Sequence, residues 1–325
     1  MNTARAFAPA SVSNVTCGFD ILGFALSGLG DIVEAKETAQ PGVRIESIVG
    51  DRGRLPHDPH LNTASIAAQA VLDRLEISDR GLVLRIEKRT PLSSGVGSSA
   101  ASAVAATVAS NGALQGELSD DDLLLCAVEG ERAASGSIHA DNVAPCLLGG
   151  LVLVRSVTPP DIVTLPVPGE LSCALLRPHI EVRTHEARTL LGDTLPLRTA
   201  VTQWANVAGL IASLYREDWD LLGRCLVDVV AEPLRTQSVP GFETVKTAAL
   251  EAGALGCGLS GSGPAIFALC RDPSLAKRVA IAMFETFQAK VGIEAEHYVS
   301  PVGAKGAHLL NGDADCHADS AACDS

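Results

Sequence analysis

The clearest chemistry in the chain lies in Pro91-Leu92-Ser93-Ser94-Gly95-Val96-Gly97-Ser98-Ser99-Ala100-Ala101. Gly95 and Gly97 carry no Cβ, so a ligand can come close to the backbone there. Ser98 and Ser99 place hydroxyls where the first N–H groups of a helix lack partners and its dipole is positive. That combination suits an anion, most simply a phosphate. Glycines and a serine also join strands to helices for folding reasons alone, and the pattern by itself leaves both readings open. It is not a Walker A loop, because no Lys-Ser or Lys-Thr follows Gly97. Gly95, Gly97 and Ala100 match the dinucleotide spacing G-x-G-x-x-A, but that fold needs a second parallel strand soon after the helix. Here the segment from Ser119 opens with a capping serine and three aspartates and reads as another helix.

Other reactive residue types are dispersed. The loop Ala8-Pro-Ala-Ser-Val-Ser-Asn-Val-Thr-Cys-Gly-Phe-Asp20 holds Asn14 and Asp20, and either could simply cap local backbone groups. Glu131 falls near the C-terminal end of a helix predicted over 119–134, where the dipole disfavours a carboxylate, a hint of another role. His139-Ala140-Asp141-Asn142 follows in a predicted loop, and such a cluster serves a turn as readily as a base or a metal. The second glycine cluster, over 256–269, reads as a glycine-rich hairpin. Cys316, His317 and Cys323 fit no zinc spacing.

These groups need a frame. Apolar patterning predicts strands over 3–8, 31–37, 43–48, 82–87 and 149–157. A helix capped by Asn62 or Thr63 runs to about residue 76, and an alanine-rich buried helix covers 100–110. Thr158-Pro159-Pro160-Asp161 is a composition break that divides a domain over 1–158 from one over 159–302. The second domain is predicted to hold a strand over 171–176, helices from 196, from 219 towards 230, over 242–252 and over 273–289, and a strand over 293–299. Residues 303–325 turn to Gly, Ala, Asp and Ser and read as a disordered acidic tail.

A chain of 325 residues is long enough for two cored domains. Its net charge of −13 argues against nucleic acid or an anionic membrane as partner. Aromatic residues make up 3%, so the cores must be filled by Ala, Leu, Val and Ile. No apolar run reaches the ~18 residues that span a bilayer, and no signal-peptide pattern opens the chain. Nine cysteines without a C-x-x-C point to reduced thiols and a cytoplasmic location.

Three stretches taken together carry a resemblance: the loop ending at Asp20, residues 91–101, and Gly258-Leu-Ser-Gly-Ser-Gly-Pro-Ala265. The chain resembles the GHMP kinase superfamily, which phosphorylates small alcohols with ATP. Mevalonate-type and galactose-type members carry Gly-Glu-His where this chain has Gly18-Phe19-Asp20. Gly136-Ser-Ile-His-Ala-Asp-Asn-Val-Ala-Pro145, Thr184-His-Glu-Ala-Arg188 and Glu232-Pro-Leu-Arg235 make it similar, over residues 4–300, to the homoserine kinase family. The resemblance does not reach the tail.

It implies an α+β fold of two domains. The first would be like the second domain of ribosomal protein S5, with a left-handed β-α-β unit, and the second ferredoxin-like. Residues 91–101 would wrap the phosphates of ATP, with Asn62 near the adenine. Ser99, less surely Ser98, and Glu131 would hold Mg²⁺, which asks for hard oxygen ligands. The acceptor would be L-homoserine. Its carboxylate would meet Arg188 and Arg235, and its ammonium and hydroxyl Asn14, Asp20 and His139. Thr184, Gly261, Ser262 and Gly263 would complete that pocket. Asp141 would act as base, or Asn142 would orient the hydroxyl; the sequence leaves this open, as it does the choice between monomer and homodimer. Another small-alcohol kinase and a non-catalytic ligand-binding relative are the alternatives.

Overall fold

A computed structural model describes residues 1–310 apart from Ser137, His139, Arg183 and Asp193. The chain starts with β1 (Thr3–Ser13), paired antiparallel to the long β2 (Leu22–Thr38). β1 runs past the predicted end at residue 8, because the register shifts between Pro9 and Ser11. Such a bulge accommodates a proline that cannot donate to the ladder. The parallel unit then follows, β3 (Gly42–Val49), α1 (Thr63–Arg74) and β4 (Gly81–Glu87), with β4 also antiparallel to β2. Asn62 caps α1 as expected, its Oδ1 accepting from the Ala64 N–H at 3.0 Å.

Next come α2 (Ser98–Ala113), α3 (Asp120–Ser135) and α4 (Ala140–Leu148), then β5 (Leu151–Val157) and β6 (Pro160–Leu165). α2 is buried along most of its length, and its alanines let it lie close to the sheet and to α1 and α3. Two expectations need correction. The stretch around Asp141 is the first turn of α4 and not a loop; Pro145 inside the helix hid the pattern. Thr158 and Pro159 are the turn of the β5–β6 hairpin, and Pro160 and Asp161 already pair with β5, so the first sheet extends to Leu165, beyond the predicted boundary at 158.

The second sheet has the order β10-β7-β9-β8 and is antiparallel throughout. It is built from β7 (Ser172–Pro178), β8 (Gly256–Leu259), β9 (Ile266–Cys270) and β10 (Ala295–Pro301). Its helices are α5 (Thr184–Thr189), α6 (Leu197–Arg216), α7 (Trp219–Cys225), α8 (Glu232–Arg235), α9 (Phe242–Glu251) and α10 (Pro273–Val291). α7 stops earlier than predicted because the Asp228 carboxylate takes the N–H groups of Val230, Ala231 and Glu232 and starts α8. Both faces of this sheet are covered. Ala174, Leu176, Ile266 and Ala268 pack on α9 and α10. Their neighbours Cys173, Leu175, Phe267 and Leu269 join α6, α7 and the first domain's Val12, Leu22 and Phe24 in one shared core. The Phe24 and Phe267 rings meet edge-on at 6.2 Å.

The predicted tail also needs correction. Residues up to 310 return to the first sheet, where β11 (His308–Leu309) pairs with β1 and Lys305 bridges Gly149. Residues 311–325, with Cys316, His317 and Cys323, lie outside the described residues. Among the described residues no helix is long and apolar enough to cross a membrane.

Phe267→Ala should lower the unfolding free energy by about 3–5 kcal/mol, because the void opens in the core that joins the domains. Leu197→Ala, at a position 72% exposed, should stay within about 0.5 kcal/mol in the same urea titration.

Candidate active site

Between the domains lies an open cavity of about 530 Å³. Its floor is the loop over 91–97, which joins β4 to α2. Gly97 caps α2 in the left-handed region, at φ 62°. A Cβ there would fall 2.1 Å from Ser11 Oγ and 2.9 Å from Asn142 Oδ1. A Cβ on Gly95 would fall 2.8 Å from the carbonyls of Ser260 and Gly263. Both glycines are therefore required by protein packing as well as by any ligand, which the sequence pattern does not reveal. Three hydrogen bonds fasten the seam: Ser260 Oγ donates to Gly95 O (2.6 Å), Ala265 N to Ser94 O (3.2 Å) and Gly261 N to Ser13 O (3.3 Å).

Beneath the loop sits a buried ion pair between Lys88 and Asp31. Lys88 Nζ also donates within reach of Thr90 Oγ1 (2.9 Å), Ser98 Oγ (2.8 Å), Ser98 O (2.7 Å) and Ser102 Oγ (3.0 Å). The Asp31 carboxylate accepts the N–H groups of Arg89 and Thr90 and the hydroxyls of Thr90 and Ser102. Both charges are thus paired and hydrogen-bonded, the condition under which burial is tolerated. Sequence reasoning missed this pair, since Asp31 and Lys88 sit in strand-like patterns far apart. Ser98 belongs to this network as well as to the cavity wall, and Ser99 is the hydroxyl bonded to Glu131.

Glu131 on α3 is 4% exposed, and burial pushes its carboxyl up to about 7 against the Ser99 hydrogen bond and the Lys88 charge. Asp141 on α4 is also buried. Burial, then the nearby Asp20 charge, raises it to about 7, partly opposed by the Asn14 N–H. Its Oδ1 has no hydrogen-bond partner among the described residues. Asn142 is occupied on both sides: Ser11 Oγ donates to its Oδ1 at 2.9 Å, and its Nδ2 donates to Ser13 Oγ at 3.0 Å.

At the far end, Asn14, Val15 and Thr16 form a left-handed turn, with φ of 68°, 42° and 58°. That conformation costs roughly 1–2 kcal/mol per residue. Asn14 steadies it by accepting from Asp20 N (3.0 Å) and donating to Gly261 O (3.0 Å). Asp20 forms an ion pair with Arg188 at 2.5 Å. Arg235, 4% exposed, donates to Gly261 O at 3.1 Å, and its Nε has no hydrogen-bond partner among the described residues. Across the mouth, Arg54 and Glu181 from opposite domains form a two-pronged pair at 2.5 and 2.9 Å.

Most of the residues singled out from the sequence do gather at this cavity, from Leu92–Gly95 and Ser99 through Glu131 and Asp141 to Asp20, Arg235, Gly261 and Ser262. Others do not act through their side chains there. Ala100 and Ala101 point into the helical core, and Val96 is buried. Asn62 spends its amide on Ala64 N and Pro56 O while touching the cavity wall. Gly263 packs against Val239. His139 and the Thr184 side chain lie outside the described residues. No group of three or more acidic, His or Cys side chains gathers to hold a metal among the described residues.

The model of the GHMP kinase N-terminal domain matches residues 62–150, and that of the GHMP kinase C-terminal domain matches 210–289. A homoserine kinase of Chlorobium phaeobacteroides is 47% identical over 321 residues, covering 95% of this chain and all of the relative. The chain belongs to the GHMP kinases, in the homoserine kinase branch. A homoserine kinase of Chlorobaculum tepidum is 45% identical, over 96% of this chain and 99% of its own. The crystal structure of a homoserine kinase from Cytophaga hutchinsonii superposes with a TM-score of 0.91 at 48% identity, covering 95% and 98%. A mevalonate kinase of L. major in complex with R-mevalonate shares the fold, with a TM-score of 0.67 at 19% identity over 92% and 96%. The chain thus has the two-domain α+β fold of the GHMP kinases, which its homoserine kinase and mevalonate kinase neighbours share.

Two outcomes follow from the geometry. Gly97→Ala should lower the melting temperature together with nucleotide affinity, and Ser11→Gly in the same chain should restore part of both by removing the 2.1 Å conflict. For Asp141 the folded value of about 7 lies above the ordinary 3.8 of an exposed aspartate. Its contribution to stability is therefore complete below about pH 4 and is lost as pH rises through about 7. The urea midpoint of the ligand-free protein should fall between about pH 4 and 7, and Asp141→Asn should remove part of that fall, the buried Glu131 carboxyl supplying the rest.

Proposed function

We propose that this chain transfers the γ-phosphoryl group of ATP to the side-chain hydroxyl of L-homoserine, giving O-phospho-L-homoserine for threonine biosynthesis. One observation carries this reading. A single cavity joins a helix-capped glycine loop at one end to the Asp20, Arg188 and Arg235 cluster at the other, with Asp141 between them. The loop suits phosphates, because N–H groups at the start of α2 and the dipole of that helix face the cavity. The acidic–basic cluster suits a zwitterion, whose carboxylate and ammonium can replace the contact that Arg188 and Asp20 now make with each other.

Phosphoryl transfer relies mainly on positioning and charge neutralisation. Asp141 is the group to receive the hydroxyl proton: its Oδ1 is unpaired among the described residues, and burial sets its carboxyl at about 7, near working pH. Asn142 serves as a positioning residue, locking α4 to β1 through Ser11 and Ser13. Ser99 and Glu131 fit a Mg²⁺ ion: they offer one hydroxyl and one carboxylate at the cavity wall, and burial raises that carboxyl to about 7, a condition a cation would reverse. Such an ion would neutralise charge on the phosphates. The seven described cysteines are buried free thiols, in keeping with a cytoplasmic enzyme.

The test is ADP release with Mg-ATP across L-homoserine, mevalonate, shikimate and galactose. Turnover should be confined to L-homoserine; preference for another acceptor, or none at all, overturns the reading. Arg235→Leu should lower kcat/KM for homoserine about thirtyfold to several-thousandfold, the loss of one partner of a buried charge-assisted contact. Its ATP affinity should stay near that of the parent. On an amino alcohol without the carboxylate the same variant should lose little, and an equal loss on both acceptors would place the carboxylate contact elsewhere.

A further inference from the structure

Within Gly18-Phe19-Asp20, Asp20 already has its partner in Arg188. Phe19 has a contact of its own. The Arg188 guanidinium carbon lies 5.3 Å from the Phe19 ring centroid, and that of Arg235 lies 5.0 Å from it. The two arginines come from α5 and α8, separate short helices, and the ring is their common neighbour. Two like charges held close repel each other, and burial, then against it the Asp20 charge, then the Arg188 charge act on Arg235, with a net lowering. An aromatic ring offers a partly negative surface to cations, strongest where water is excluded. A guanidinium lying over a ring also keeps its N–H edge free for planar, two-pronged contact with a carboxylate.

We propose that Phe19 is a specificity-determining positioning residue, its ring holding Arg188 and Arg235 as a pair that faces the carboxylate of the acceptor. This rests on the reading of the acceptor as an α-amino acid. The backbone supports the role. Phe19 sits between the left-handed turn over 14–16 and Asp20, itself at φ 60°, and the Cys17 carbonyl is fixed by Gln203 Nε2 at 2.8 Å. A flexible loop could not keep a ring in register with two arginines; this one is over-determined on both sides of the ring. Phe19 and Asp20 together supply a cation-binding ring and a counter-charge, and both suit an amino-acid head group.

The experiment measures kcat and KM for L-homoserine, for ATP and for 3-aminopropan-1-ol, the same acceptor without its carboxylate. Phe19→Leu should raise the KM for homoserine about tenfold, with kcat and the KM for ATP moving less than about twofold. Activity on aminopropanol should hardly change, so the preference for homoserine collapses. Phe19→Tyr, which keeps the ring, should recover most of the homoserine KM. If Phe19→Leu fails to fold, Phe19→Met supplies similar volume without a ring surface and should give the same pattern. An unchanged homoserine KM, an equal loss on both acceptors, or no recovery by Tyr overturns the proposal. Failure of the parent protein to phosphorylate homoserine is a separate result, which refutes the reading of the acceptor before any variant is made.

Discussion

Gly95 lies so close to the turn over 260–265 that a Cβ would strike the carbonyls of Ser260 and Gly263, and its own carbonyl accepts the Ser260 hydroxyl. Everything at the cavity depends on that contact. It sets the phosphate-facing loop of the first domain against the turn that carries Gly261, whose carbonyl in turn takes both Asn14 and Arg235. The shared core around Phe24 and Phe267 presses the domains together from below. Nonpolar packing thus supplies the force that joins the domains, while the glycines set the spacing. The two halves of the cavity are held together by the same few hydrogen bonds.

Charge is handled in two ways around this seam. Lys88 and Asp31 are buried together, paired and surrounded by hydroxyls and N–H groups, and they stiffen the base of the loop. Glu131 and Asp141 are buried too, and for them burial outweighs the opposing hydrogen bonds, so both carboxyls rise to about 7. A fold keeps carboxyls in that condition at the expense of stability, which marks places where a cation or a proton is expected to arrive. The contrast separates structural from reactive charge within one small region.

Much of this was legible in the sequence. Alternation in β4, the caps at Asn62 and Ser119 and the alanine density of α2 are local signals, and the structure follows them. The oddly placed Glu131 was a fair pointer to the site. What the sequence could not show is pairing over distance. Asp31 looks like any strand residue until Lys88 is brought beneath the loop, and Phe19 like any core aromatic until two distant arginines reach it. Pro9 and Pro145 misled in the opposite sense, suggesting a loop where a bulged strand and a helix form, because neighbouring packing outweighed the local preference.

The strand β11 has a topological consequence. After the second sheet is complete, the chain crosses back, hydrogen-bonds to Gly150, Cys146 and Leu147, and lays His308 and Leu309 beside β1. The first domain is therefore assembled from two stretches of sequence with the second domain inserted between them. During synthesis its outer edge stays open until residues beyond 300 have emerged, so it cannot finish folding before the second domain has been made. Cutting the chain between the domains would not yield two independent pieces: the first would lose an edge, and the second would carry a segment that belongs to its neighbour.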